Sequence, residues 1–151
     1  MLTQSSATVG RMTIQRFLRK ALIPTFGVAG ILHFIKPEPF DSIVPESLPG
    51  EARTYTYASG VAELAAAVLL AAPKLGPASH AGHQKRAPKL RKLGGGFAAA
   101  LLLAVWPANF EMARQWRDKP WQKQVISIGR LPLQLPLISA AWSIFKDPSM
   151  R

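Results

Sequence analysis

The sequence predicts an all-α fold: a bundle of four transmembrane helices with a short interfacial segment in the first outer loop. Three observations carry this. Apolar residues gather in four runs, each close to the ~20 residues that cross a bilayer as a helix. Charged residues make up 18% of the chain, below the usual share of about 25%, and nearly all lie between the runs. Stretches such as AAAVLLAA and AAALLLAVW lack the polar stripe that a helix of a soluble bundle turns toward water.

The first helix is expected over residues 17–35 (FLRKALIPTFGVAGILHFI), most apolar after Lys20. A basic stretch before an apolar core also suits a signal peptide, but IKPEPF is a poor cleavage site and three more apolar runs follow. The other helices are expected over 55–72 (YTYASGVAELAAAVLLAA), 94–112 (GGGFAAALLLAVWPANFEM) and 125–145 (VISIGRLPLQLPLISAAWSIF). Lipid offers the backbone no hydrogen-bond partner, so each run must close its own bonds as a helix. Residues 1–12 are expected to be a flexible N-terminus, 13–146 the membrane domain and 147–151 a C-terminal tail.

The chain has no cysteine, which excludes a disulfide framework, thiol redox chemistry and Cys-ligated metal centres. A net charge of +11 would suggest nucleic acid in a soluble protein. Here the basic residues flank apolar runs and no nucleic-acid motif accompanies them, so the charge reads as topological. The N-terminus, the loop PKLGPASHAGHQKRAPKLRK and the C-terminus together carry twelve basic side chains against one acid. The two remaining loops together sum to +1, the first being acidic and the third basic. The positive-inside rule then places both termini in the cytoplasm of a multi-pass protein of the bacterial plasma membrane. His80 and His83 in the basic loop have H-x-x-H spacing. No carboxylate stands near them, and a solvated loop facing lipid head groups is preferred to a metal site.

A charge in hydrocarbon costs at least ~2.5–3.5 kcal/mol on insertion scales and marks a partner or a cavity. The spans hold several polar residues. Glu63 lies midway along the second, with Tyr55 and Ser59 stacked on its face at steps of four. Asn109 and Glu111 lie late in the third, Arg130 and Gln134 early in the fourth, and His33 at the end of the first. With the expected orientation all of them fall in the outer half of the bilayer. Glu63 and Arg130 are expected to pair, directly or through Gln134 or water. Gly27, Gly30 and Gly60 are expected to let helices approach closely. Pro107, Pro132 and Pro136 lie inside the runs and are expected to break or kink them near Arg130. In the first outer loop Phe40, Ile43, Val44 and Leu48 suggest an amphipathic turn on the membrane surface, a lid or an inert plug over the polar cluster.

The motifs G-x-x-H-F-x-x-P-x-x-F (Gly30, His33, Phe34, Pro37, Phe40), I-V-P-x-x-L-P-G (Ile43 to Gly50), Y-x-S-G-x-x-E (Tyr57, Ser59, Gly60, Glu63), W-P-A-N-x-x-M (Trp106 to Met112) and G-R-L-P-L-Q-x-P-L (Gly129 to Leu137) occur in that order. In this the chain resembles the DoxX family of small four-helix membrane proteins. The resemblance implies a membrane subunit or accessory protein of a redox or respiratory assembly, not an enzyme on its own, with a quinone as the cofactor to consider. It brings no metal-ligand or catalytic pattern. A single His33 is not the pair of histidines a b-type haem takes. The expected partners are the lipid bilayer and a membrane or periplasm-facing protein, or a second copy of the chain. Two alternatives stay open: a small carrier of a lipophilic or weak-acid solute, with Glu63 as its protonatable group, and a purely structural stabiliser of a larger complex.

Overall fold

A computed structural model describes residues 3–75 and 86–147. His80 and His83 lie outside the described residues. Among the described residues the helices are, in order, α1 (Thr3–Ile35), α2 (Glu38–Asp41), α3 (Ala52–Leu75), α4 (Arg86–Ala104), α5 (Trp106–Gln115) and α6 (Trp121–Phe145). Among the described residues there is no strand. Four of the described stretches are long and apolar enough to cross a membrane: Met12–Ile35, Ala52–Ala72, Lys89–Gln115 and Trp121–Phe145. The protein is an all-α bundle built from membrane-spanning lengths of helix.

Two boundaries differ from expectation. Helix α1 already begins at Thr3, so residues 3–12 continue the helix where a flexible start was expected. The third span is not one helix. Pro107 lacks the N–H that would bond the Leu103 carbonyl, and the chain turns at Val105 before restarting as α5. Pro132 and Pro136, by contrast, sit inside a helix that runs on through both.

The spans form a ring: α1 packs on α3, α3 on α4, α4 on α6, and α6 on α1, with α5 leaning on α6. The core at the ring's centre is built from Leu22 and Phe26, Ala66, Ala67 and Leu70, Ala98, Ala99 and Leu102, and Ala140, Ala141 and Ile144. Small side chains dominate because, in lipid, close backbone approach and dispersion hold helices together. Glycine takes this further at two crossings. A Cβ on Gly60 would stand 2.8 Å from the His33 Cβ, and one on Gly95 would stand 2.8 Å from the Ala141 carbonyl oxygen. Gly30 faces Gly60 at the first crossing, whereas Gly27, expected to serve the same purpose, has nothing within 4 Å.

α1 and α6 meet differently. Gln15 bonds Ser139, and Arg19 bonds Ser143 at 2.8 Å and Asp147 at 3.2 Å. The first two contacts advance four residues in the same direction on each helix. Overall, however, the helices run in opposite senses, since His33 and Arg130 share the other end. The α1–α6 contact is the lightest of the four that close the ring.

Candidate functional site

Space is left at the end of the bundle that carries α2. A cavity of about 580 Å³ opens there between α1, α3, α5 and α6, within the usual size range for small-molecule sites. His33, Tyr55, Ser59, Glu63, Asn109, Arg130 and Gln134 all line it. Four helices thus bring together residues that lie up to about a hundred positions apart in the chain, from His33 to Gln134.

Glu111 is not among them. Its carboxylate is held by Arg114 in a two-point contact at 2.6 and 2.9 Å. It also accepts from Gln115 Nε2 at 2.9 Å, and the same amide donates to the Ser42 carbonyl at 2.6 Å. Glu111 therefore orients the group that fastens the loop after α2, outside the cavity.

That loop is the roof. Phe40, Ile43, Val44 and Leu48, the apolar positions of the expected amphipathic turn, all line the cavity. Only Glu38–Asp41 is helical; the remainder is a series of turns. Phe40 stacks on the His33 ring at 3.8 Å between centroids. Tyr55 donates its hydroxyl to the Pro49 carbonyl at 2.6 Å, and Arg53 holds Asp41 at 2.7 Å. Gly50, at φ +95°, makes the turn into α3 in a region open to glycine without steric cost.

Asp41 lies outside the spans, and its carboxyl is held below the ordinary aspartate value. Burial pushes it up, but Thr56 and Arg53 as hydrogen-bond donors, together with the Arg53 charge, outweigh that. The Thr56 hydroxyl helps from a distance: neither Thr56 Oγ1 nor Asp41 Oδ1 has a partner at full hydrogen-bond geometry.

Inside the cavity the polar groups are unevenly satisfied. Gln134 is fully engaged. Its Nε2 donates to the Leu102 carbonyl at 2.6 Å, and its Oε1 accepts from Asn109 at 3.2 Å. No backbone N–H crosses the break at Val105 to reach that carbonyl, so the glutamine fills the gap the break creates. His33 Nδ1 donates to the Ala29 carbonyl at 2.7 Å, which fixes a proton on that nitrogen.

Glu63 is 8% exposed, and its Oε2 has no hydrogen bond. The nearest cationic candidate is His33 Nδ1 at 3.4 Å, whose proton points to Ala29. The expected direct contact with Arg130 is absent: among the described residues no ion pair joins them, and Gln134 is committed elsewhere. Arg130 is exposed overall and touches only a soft partner, Met112 Sδ at 3.7 Å. The helix positions fix the reason. Arg130 leans toward α5, while Glu63 faces α1 beside His33.

Thr56, at 2% exposed, also lines the cavity and was not anticipated from the sequence. The signal for it was present: it precedes Glu63 by seven residues, two helical turns, and so shares its face. Among the described residues no cluster of three metal-ligating side chains forms. The arrangement can receive a molecule whose apolar part meets the roof and whose polar part meets Glu63, Arg130 and Ser59.

No curated protein and no solved structure matches this chain. A family model does match, over residues 22–145, from the first core leucine of α1 to the end of α6. It thus covers all four spans, the roof and the cavity, and the chain belongs to that family, the domain of unknown function DUF8561.

Proposed function

We propose that the protein is a non-catalytic membrane subunit or accessory protein that holds the head group of a lipophilic molecule, a quinone being the first candidate, within a redox or respiratory assembly. Both termini lie in the cytoplasm in this reading, and the roofed cavity lies in the outer half of the plasma membrane. The DoxX-like order of motifs supports the redox setting. The observation that carries the binding reading is the buried Glu63 carboxylate, unbonded in a cavity of about 580 Å³ beneath an apolar roof. A buried polar group without a partner costs about 1–3 kcal/mol, and a bound donor would recover that cost. Arg130 offers donors to a carbonyl oxygen from the other side.

The test is purification from native membranes in mild detergent, organic extraction, and chromatography for bound quinone. Stoichiometric quinone that disappears in Arg130→Met supports the reading. Protein free of quinone, and unmoved in melting temperature by an added decyl-chain benzoquinone, overturns it.

The isolation of Glu63 also favours a second reading, a carrier of weak acids in which this carboxylate takes up and releases a proton. Weak-acid flux into proteoliposomes that is unchanged by Glu63→Gln disposes of it.

A further inference from the structure

We infer that the cavity admits its ligand sideways from the bilayer, through a seam between α1 and α6, and that the ligand is a tailed amphiphile whose chain remains in that seam. This rests on the binding reading above and deepens it by fixing ligand class and route.

The roof covers the water side of the cavity, with Ser47 and Leu48 exposed at its outer surface. It is fastened at Asp41 by Arg53, at Ser42 by Gln115 and at Pro49 by Tyr55. Ile43 beneath it is 7% exposed. The α3 wall is closed as well: Thr56 and Glu63 are buried, and Tyr55 and Ser59 are half-buried.

The α1 and α6 walls are open. Thr25 on α1, and Arg130 and Leu133 on α6, line the cavity and are all exposed. The polar contacts that tie these two helices, from Gln15 and Arg19 to Ser139, Ser143 and Asp147, all lie toward the far end. These two helices pack on one another more lightly than the other neighbours in the ring, and Thr25 and Leu133 flank the seam between them at the cavity.

A seam facing acyl chains suits a hydrocarbon tail. The exposed guanidinium of Arg130 at its edge suits the oxygen of a polar head passing inward. A tailless polar solute gains nothing from such a seam, whereas a tailed one keeps its chain in lipid throughout.

The absence of cysteine makes the seam testable without background thiols. In nanodiscs, Thr25→Cys with Leu133→Cys would be bridged by a short bis-maleimide. Ser42→Cys with Gln115→Cys, a pair in contact outside the cavity, would bridge the roof to α5 as a control. Binding of a decyl-chain benzoquinone and of its tailless ring analogue is then followed by quenching of tryptophan fluorescence. The expected result is that bridging the seam slows the decyl compound by about tenfold or more while bridging the roof does not. The decyl compound also binds more tightly than the ring alone to the unbridged protein.

Unchanged decyl binding after bridging the seam, or loss of binding only when the roof is bridged, overturns this inference while leaving the binding reading intact. Failure of both compounds to bind the unbridged protein overturns both. The uncoupled double-cysteine variants, each melting as the parent does, separate these outcomes from misfolding.

Discussion

Glu63 and Arg130 line one cavity and do not touch. Their carboxylate and guanidinium face it from α3 and α6, with no ion pair between them. A locked buried pair would lose about 3–5 kcal/mol when either partner is removed. Two groups without a direct contact have no such bond to lose. Glu63→Gln is therefore expected to change unfolding free energy by less than about 1 kcal/mol, measured by denaturant titration in detergent micelles. A loss in the range of a broken buried pair would mean that the two act as a structural lock.

Gln134 is the opposite case. Its amide serves the Leu102 carbonyl where the third span breaks, and it also accepts from Asn109. Gln134→Leu leaves that carbonyl buried without a donor and is expected to cost about 1–3 kcal/mol. Asn109→Ala removes only the longer bond and should cost less. The same titration orders the two, and a neutral Gln134→Leu would show that the break needs no external donor.

The four spans were legible because lipid imposes a length and excludes charge, and both constraints appear directly in a sequence. The cavity lining was legible for a related reason. Polar residues such as His33, Ser59 and Gln134 are costly in hydrocarbon, so their depth along each span points to a shared site. What could not be read was which groups bond. Glu111 and Gln115 lie four apart and could serve the cavity or the roof; the turn at Val105 decides it by ending α4 and re-aiming α5. The direct Glu63–Arg130 contact is missing for a similar reason. Depth places both at one level, but the direction each faces depends on helix rotation, which spacing within a single helix does not set. Pro107 and Pro132 read alike in the sequence, yet only the first ends a helix.

Close backbone approach should be localised. A Cβ on Gly95 meets the Ala141 carbonyl and the Phe145 nitrogen, both at 2.8 Å and both backbone atoms that cannot step aside. Gly95→Ala is expected to cost about 1–3 kcal/mol through overpacking. Gly27→Ala meets nothing within 4 Å and should be neutral or gain about 0.5–1 kcal/mol from helix propensity. Thermal unfolding of the two variants side by side checks the contrast, and equal melting temperatures would contradict the described packing of α4 on α6.

The roof should loosen in acid, and Asp41 sets the sign. Its folded value lies below the ordinary one, about 3.9 in an unfolded chain. Between the two values the closed roof keeps the carboxylate ionised while the released loop protonates it. The contribution to closure is thus complete above the ordinary value and is lost as pH falls through the depressed folded value. Arg53 faces Asp41 at 2.7 Å and stands 4.0 Å from the exposed Glu38, so Glu38→Gln is the control for the weaker contact. With no native cysteine, Leu48→Cys carries a single polarity-sensitive fluorophore on the roof. Its emission is expected to shift toward that of a water-exposed dye only as pH drops below about 4. Asp41→Asn should give a roof already loosened at neutral pH and flat through that window. A transition that survives Asp41→Asn unchanged would assign the acid response to another group.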